Sequence, residues 1–200
     1  MKKFLQNRIN KKNRMKLTNK MPSLICSNCT GGILYHWLGL QFRSPFINLY
    51  MTSEDFITAM ENLPEFLESE IKELKDSGYN YPVGVGAYNT KIHFMHYDTF
   101  EQAIKKWNER KERVNFNNIG IMLTNFGGGE QRMDLLQRFE ALPYKHKVVF
   151  TRVPVEGVKS AFYIKGNRKK KNLYATQYIT GKRYIDQFDY IGFINHLEDK

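Results

Sequence analysis

Two side chains capable of nucleophilic chemistry follow separate strand-like stretches of this 200-residue chain. Cys29 stands just before a helical pattern, and the amino end of a helix lowers the pKa of a thiol placed there. His96 follows a second strand-like stretch, and an imidazole is a common base for activating a thiol. The two residues predict a nucleophile and its base, with Asn28 or backbone N–H groups stabilising an oxyanion.

Three other interpretations of these residues remain open. Cys29 could pack as a small apolar residue, or the turn around it could bind a ligand without nucleophilic chemistry. Cys26 and Cys29 also form a C-x-x-C pattern of the thioredoxin type, although Cys26 should be buried within the strand. A zinc site made with His93 and His96 is disfavoured, because residues three apart on a strand point to opposite faces.

The turn that carries Cys29 is predicted at residues 28–32, between an apolar strand at 23–27 and a helix. Gly31 and Gly32 permit a sharp turn and close approach of a ligand. The first backbone N–H groups of the helix have no partner within it and favour an anion. We therefore expect the phosphates of a donor substrate at this turn.

Further candidates follow the other predicted strands, since open α/β sheets bind ligands outside the carboxyl ends of their strands. These ends contain side-chain amides, an imidazole, a carboxylate and an arginine, and no metal site is predicted among them. The residues that we expect to bind ligand are Asn28, Thr30, Gly31, Gly32, Tyr97, Asn125, Gly127, Gly128 and Arg152.

The elements that position these residues are read from hydrophobic periodicity. Strands are predicted at 23–27, 46–50, 81–87, 91–97, 119–124, 147–151 and 160–164, and helices after the first turn and at 53–63, 65–75, 99–114, 132–142 and 184–197. The short gap at 88–90 predicts a hairpin. The alternation predicts an α/β fold of one domain, in three layers, with a mixed, mostly parallel sheet and helices on both faces.

Charge divides the chain into two parts. The net charge is +11, but residues 1–20 hold eight lysines or arginines and no acid, so the rest is nearly neutral. We predict a basic N-terminal extension at 1–20, solvated and partly helical or disordered, and a single α/β domain at 21–200. The extension could instead hold a membrane surface through anionic lipid, whereas nucleic acid is a disfavoured partner. Oligomeric state is left open.

The cellular compartment is inferred from targeting and membrane signals that the sequence lacks. No stretch has the apolar run of a signal peptide or the length of a transmembrane helix. Two cysteines cannot form the disulfide framework of a small secreted protein. Both observations favour a cytoplasmic protein.

Four segments carry a family resemblance: NCTGG at 28–32, SPF at 44–46, IHFMHYDTFEQAIKKWNERKERVN at 92–115 and ALPYKHKV at 141–148. Together they resemble an uncharacterised bacterial family associated with exopolysaccharide and capsule biosynthesis, over residues 23–165. The family turn more often reads SNNCWGG, so Cys26, Ser27 and Thr30 depart from it. The turn is also similar to the strand-NCQG-helix opening of capsule-biosynthesis proteins to which acyl transfer with coenzyme A is ascribed.

The resemblance implies a transferase of exopolysaccharide or capsule biosynthesis that takes a small-molecule donor and a saccharide acceptor. Acyl transfer from coenzyme A is favoured because a thiol, a base and oxyanion donors are available. Glycosyl transfer from a nucleotide sugar is the nearest alternative, although no D-x-D metal motif is present. The remaining alternative is a non-catalytic protein that binds lipid, nucleic acid or another anion through the basic extension.

Overall fold

The computed structural model describes residues 2–125, 132–166, 172–177 and 180–198. Within these ranges the strands are β1 (Ser23–Cys26), β2 (Lys72–Glu73), β3 (Val83–Val85), β4 (Lys91–His93), β5 (Ile119–Thr124), β6 (Lys147–Thr151) and β7 (Ala161–Tyr163). The α-helices are α1 (Lys2–Lys16), α2 (Thr30–Leu38), α3 (Ser53–Glu61), α4 (Leu63–Glu68), α5 (Phe100–Lys111), α6 (Met133–Ala141) and α7 (Tyr190–Asn195). No helix of the described ranges is long and apolar enough to cross a membrane.

The strands form two sheets. The main sheet is parallel throughout, with the order β1-β5-β6-β7, and Cys26 lies opposite Met122 at the carboxyl end of β1. The second sheet is antiparallel, with the order β2-β3-β4. The predicted α/β fold is therefore confirmed, and its antiparallel strands lie in a separate small sheet.

Two apolar cores cover the two faces of the main sheet. Because successive strand residues point to opposite faces, Ile25 and Ile121 pack into one core and Leu24 and Met122 into the other. The first core also takes buried residues from α3, α4, α5 and α6, and the second takes them from α2 and α7. Helices therefore lie on both faces, as the three-layer prediction requires.

The basic N-terminal segment forms helix α1, which packs against the rest of the chain. Asn10 is 9% exposed, and its Oδ1 accepts a hydrogen bond from Arg183 at 2.9 Å. Arg14 Nε donates to the carbonyl oxygen of Trp37 at 2.7 Å, and Leu17 is buried in the second core. Helix α1 is thus docked on the rest of the chain, where a solvated, partly helical or disordered extension was expected.

Two predicted helices are shorter than their apolar pattern suggested. The helix predicted at 65–75 ends at Glu68, because Ser69 is extended and Lys72–Glu73 pairs with β3. The helix predicted at 184–197 is divided into a 3-10 turn, Tyr184–Gln187, and α7, which begins where Asp189 accepts from the Gly192 N–H at 3.0 Å. In both cases apolar residues kept a helical spacing that the backbone does not follow.

The hairpin and the helix after it agree with prediction. β3 and β4 are antiparallel neighbours, with Val83 opposite His93. Thr99 caps α5 by accepting a hydrogen bond from the Gln102 N–H at 3.3 Å. The strand predicted at 46–50 is not formed as a strand. One isolated antiparallel bridge, between Tyr50 and His93, is what remains of it, and this bridge joins residue 50 to β4.

Candidate functional site

The carboxyl end of β1 is fixed by bonds to two neighbouring segments. The Ser27 N–H donates to the carbonyl oxygen of Met122 at 3.1 Å, and Ser27 Oγ accepts from the Thr124 N–H at 3.1 Å. On the other side, the Ser27 carbonyl oxygen accepts from the Met51 N–H at 2.9 Å. The turn at 28–32 therefore starts from a rigid point between β5 and residues 49–51.

Two of the N–H groups at the amino end of α2 already have partners. Asn28 Oδ1 accepts from the Thr30 N–H at 3.0 Å, and the Gly31 N–H donates to the sulfur of Cys26. The Ile33 N–H donates to the Cys29 carbonyl oxygen at 3.0 Å. Asn28 therefore caps the helix locally, and fewer free donors remain for an anion than the sequence suggested.

Thr30 is the exception in this turn. Its side chain is 3% exposed, and its hydroxyl oxygen has no hydrogen-bond partner in the described part of the chain. A buried hydroxyl without a partner costs about 1–3 kcal/mol. The first turn of α2 also carries no acid. Thr30 is therefore the polar group of the turn that a bound ligand could satisfy.

The two glycines of the turn have packing reasons for lacking a side chain. A Cβ at Gly31 would lie 2.7 Å from the sulfur of Cys26, and one at Gly32 would lie 3.2 Å from Cγ2 of Ile47. Both glycines are buried. Close approach of α2 to β1 explains Gly31, and close approach to Ile47 explains Gly32. The predicted contact of both glycines with a ligand stays a prediction.

Cys29 has an environment that keeps its thiol protonated. The thiol is partly buried and lies 3.9 Å from the carbonyl oxygen of Leu49, to which it can donate. Burial raises its pKa above the usual value, although a backbone hydrogen bond opposes this. His96 is exposed in the turn after β4, and no contact among the described residues joins it to Cys29. The nucleophile–base pair stays a prediction.

Cys26 is a structural residue of β1. It is 1% exposed, its thiol is free, and burial raises its pKa. Such a thiol is unreactive, which argues against a redox pair with Cys29. Within the described ranges, no group of three or more His, Cys, Asp or Glu side chains could hold a metal ion.

The remaining predicted residues are distributed around the sheet edge. The Asn125 N–H donates to the Phe150 carbonyl oxygen at 3.0 Å, and Asn125 Oδ1 accepts from Ser53 Oγ at 3.3 Å, so Asn125 lies beside the start of α3. Arg152 lies half-buried after β6, the next strand along. The Tyr97 hydroxyl accepts from Arg110 at 2.8 Å, and its predicted contact with a ligand stays a prediction. Gly127 and Gly128 lie outside the described residues.

Four aromatic side chains form a surface cluster that the sequence did not predict. We call Tyr50, Tyr79, Tyr81 and His93 the tyrosine–histidine cluster. The His93 ring centroid lies 5.6 Å from Tyr50, 5.0 Å from Tyr79 and 6.0 Å from Tyr81. Tyr79 and Tyr81 stack at 5.0 Å. Tyr50 is 41% and Tyr79 is 55% exposed, whereas His93 is buried beneath them at 6%.

Burial and one carboxylate set the electrostatics of this cluster. Burial lowers the pKa of His93, and Lys91 adds to this, while the Asp55 carboxylate opposes it. His93 is therefore neutral near pH 7, and its Nδ1 lies 3.4 Å from the Tyr81 hydroxyl. Burial also raises the pKa of Tyr50, with Asp55 contributing. The cluster thus presents neutral aromatic rings with one acid nearby.

Residues 49–51 join the cluster to the turn of α2. The Tyr50 N–H donates to the His93 carbonyl oxygen at 2.9 Å, and the His93 N–H donates back to Tyr50 at 2.9 Å. The next residue, Met51, bonds to Ser27, and Leu49 faces the thiol of Cys29. One short extended segment therefore separates the two features.

An open groove continues from the cluster. It has a volume of about 490 Å³, and its lining includes Tyr79, Tyr81 and the acids Asp76, Asp98 and Glu101. A larger cavity of about 640 Å³ lies at the opposite, amino edge of the main sheet, where the 3-10 turn Phe116–Asn118 precedes β5. None of the predicted site residues lines either cavity, and the groove differs from the larger cavity in being lined by two members of the tyrosine–histidine cluster.

A local signal for the cluster was present in the sequence. Tyr50 alternates with buried Leu49 and Met51, which is the pattern of an extended segment with one exposed aromatic face. Tyr79 and Tyr81 are also two positions apart, just before β3, but the residue between them, Asn80, is exposed. What the sequence lacked was the pairing of Tyr50 with His93, which lies more than forty positions away.

Comparison with known proteins places the whole chain in one family. The model of a domain of unknown function, DUF1919, matches residues 1–195. An uncharacterised protein of Haemophilus influenzae is 38% identical over 191 residues, which cover 94% of this chain and 91% of that protein. The match includes α1 as well as the residues of the turn and the cluster. The chain is therefore a member of the DUF1919 family.

Proposed function

We propose that this protein is a transferase of exopolysaccharide or capsule biosynthesis that modifies a saccharide. The acceptor saccharide lies on the tyrosine–histidine cluster, and the donor lies at the α2 turn. The observation that carries the proposal is the connection of exposed Tyr50 to the turn through Met51, whose N–H bonds to Ser27. Acceptor and donor sites of a transferase must be neighbours, and the bonds of this segment support that arrangement.

The cluster suits a saccharide because it combines apolar ring surface with hydroxyl groups. Tyrosine offers a large rigid area at low entropic cost and keeps a polar tip for hydrogen bonds. Tyr50 and Tyr79 are the exposed rings, and the groove beside Tyr79 carries Asp76 and Asp98, whose carboxylates can accept bonds from sugar hydroxyls. A sugar ring has the same mixture of C–H faces and hydroxyl rim.

His93 acts in this proposal as a positioning residue. Its ring is 6% exposed and contacts all three tyrosines, so it fixes their relative orientation. In the neutral state, its Nδ1 can accept a hydrogen bond from the Tyr81 hydroxyl. The neutral ring thereby supports the surface without placing a charge beneath it.

The donor site is proposed at the turn because Thr30 leaves a buried hydroxyl unsatisfied there. The first turn of α2 has no acid, whereas α3 carries Glu54 and Asp55 and α6 carries Asp134 in theirs. Among these three helices, α2 is the one whose positive end is not offset by its own side chains. A phosphate-bearing donor, such as an acyl-coenzyme A, is compatible with that end.

Acyl transfer is the favoured reaction. The acceptor hydroxyl oxygen bonds to the acyl carbon, the carbon–sulfur bond of the donor thioester breaks, and the hydroxyl proton ends on the departing thiolate. A route through Cys29 would first move the acyl group to its sulfur, and that requires a base to remove the thiol proton. The raised pKa of Cys29 favours direct transfer.

The test is a thermal-shift screen of coenzyme A, acetyl-coenzyme A, nucleotide sugars and neutral oligosaccharides. A ligand present at a hundred times its Kd adds about 2.7 kcal/mol of stability. We expect Tyr50→Ala and Tyr79→Ala to lose the oligosaccharide response and keep the donor response. Thr30→Val and Asn28→Ala should do the reverse.

Phe116→Ala is the matched control, because Phe116 is an aromatic residue with 46% exposure at the opposite edge of the sheet. It should keep both responses. A response to nucleotide sugars but not to coenzyme A would replace acyl transfer by glycosyl transfer. No response of the wild-type protein to any donor or oligosaccharide would overturn the transferase proposal.

A further inference from the structure

Helix α1 exposes two bulky apolar residues on the side that faces away from the rest of the protein. Gln6, Asn10 and Asn13 recur at intervals of three or four residues and face the body of the protein, where Asn10 is buried. Phe4 and Met15 lie on the opposite side of the helix and are 64% and 80% exposed. A surface helix normally buries its apolar residues, and Leu5 and Ile9 are half-buried, so the exposure of Phe4 and Met15 is the unusual feature of this helix.

The outward face alternates apolar and basic residues. Phe4, Arg8, Lys11 and Met15 follow each other at intervals of three or four residues and are all exposed. The Arg8 guanidinium lies 5.9 Å from the centroid of the Phe4 ring. No acid occurs in the helix. We call these four residues the outer face of α1.

Hydrogen bonds along the inner side hold the helix in this orientation. Asn10 accepts from buried Arg183 at 2.9 Å, and Gln6 Nε2 donates to Thr176 Oγ1 at 3.0 Å. Asn13 donates to the Tyr190 hydroxyl. Because three polar contacts would break if α1 rotated, Phe4 and Met15 cannot turn inward without loss of stability.

We propose that the outer face of α1 binds the surface of an anionic lipid bilayer. Helices that lie in the membrane interface place bulky apolar residues among the acyl chains and lysines or arginines at the headgroups. The outer face has both, and its charge complements anionic lipid. This inference is independent of the transferase proposal.

Nucleic acid would account for only half of the outer face. Arg8 and Lys11 could bind phosphate groups, but duplex nucleic acid accepts an apolar side chain such as Phe4 or Met15 only as a wedge between base pairs, at a cost in unstacking. A bilayer uses the apolar and the basic residues together. The exposed apolar residues therefore favour an anionic bilayer over nucleic acid as the partner of this face.

The experiment is sedimentation of the full chain with vesicles of phosphatidylcholine, alone or mixed with phosphatidylglycerol. Wild-type protein should sediment with the mixed vesicles and be released as salt rises. Arg8→Gln with Lys11→Gln should weaken binding about fivefold per cation removed. Phe4→Ser with Met15→Ser retains every charge and should weaken binding roughly tenfold.

Lys105→Gln with Lys159→Gln is the matched control, because it removes the same charge from exposed positions on other parts of the chain. It should bind vesicles within about twofold of wild type, since long-range charge is screened. Equal weakening by both charge-removing pairs would overturn the proposal. So would full binding by the Phe4→Ser, Met15→Ser variant, or salt-sensitive binding of duplex DNA without binding of the mixed vesicles.

Discussion

The guanidinium of Arg183 lies over the ring of Trp37, with its central carbon 3.5 Å from the ring centroid. Arg183 is 1% exposed and pairs with Asp186, from which its Nη2 is separated by 2.8 Å. It also donates to Asn10 of α1. One buried cation therefore connects the first helix, the second helix and the C-terminal segment.

Replacement of Arg183 should be strongly destabilising. Arg183→Ala leaves the Asp186 carboxylate buried without its partner, and we expect the free energy of unfolding to fall by about 3–5 kcal/mol. Urea denaturation measures the change. Arg132→Ala breaks an exposed ion pair with Asp134 and should have little effect. Similar losses in the two variants would contradict the role given to Arg183.

Gly31→Ala should destabilise the protein through one contact. The new Cβ would lie 2.7 Å from the sulfur of Cys26, and overpacking of this kind costs about 1–3 kcal/mol. In a Cys26→Ala background the cost should shrink, because the sulfur is gone. A double-mutant cycle measures the coupling. An unchanged cost in that background would show that the clash is not with Cys26.

Thr30→Val should separate stability from ligand binding. The substitution replaces a buried hydroxyl without a partner by a methyl group of similar shape, so the free energy of unfolding should stay the same or rise. The thermal shift produced by a donor should nevertheless disappear. Thr30→Ser keeps the hydroxyl and should retain the shift. Retention of the shift in Thr30→Val would remove Thr30 from the donor site.

The stability of the protein should depend on pH through His93. Its pKa is lowered from the usual 6.5, chiefly by burial. Below pH 6.5, the histidine of the unfolded chain is protonated while the folded ring stays neutral. The unfolded state therefore binds more protons, and the free energy of unfolding falls as pH decreases towards the lowered pKa. His93→Phe should lose this part of the decrease when unfolding is compared at about pH 7.5 and about pH 5.5. An unchanged decrease would contradict a lowered pKa.

Cys29 should react slowly for an accessible thiol. Burial raises its pKa, so at neutral pH iodoacetamide should label the folded protein more slowly than it labels glutathione, and faster as pH rises. Cys29→Ser should abolish labelling of the folded protein, because Cys26 is buried. Labelling faster than glutathione at neutral pH would instead support an activated nucleophile.

Local signals were sufficient for several elements of the fold. The helix predicted to start at residue 53 does start there, and Thr52 caps it by accepting from the Asp55 N–H at 3.1 Å. β5 and β6 have their predicted bounds, since short apolar runs in a parallel sheet are buried on both sides. Local sequence also located the turn of Asn28, because glycine and asparagine interrupt the strand pattern there.

Contacts between distant residues account for what the sequence did not reveal. The residues after Glu68 keep a helical spacing, yet Lys72 pairs with Val85, and only the tertiary fold decides between the two states. The tyrosine–histidine cluster likewise depends on the bridge of Tyr50 to His93. The charge of residues 1–20 predicted a solvated extension. The buried bond from Arg183 to Asn10, which holds α1 in place, spans 173 positions and leaves no local signal in the sequence.

The docking of α1 has a consequence for how the chain folds during synthesis. The partners of this helix lie at the far end of the sequence: Asn13 bonds to Tyr190, and the Thr18 N–H donates to Asn195, each across 177 positions. Helix α1 is therefore made well before its partners and is among the last elements to acquire its place. Until residues 183–195 emerge, its basic surface stays available to chaperones and to any polyanion nearby.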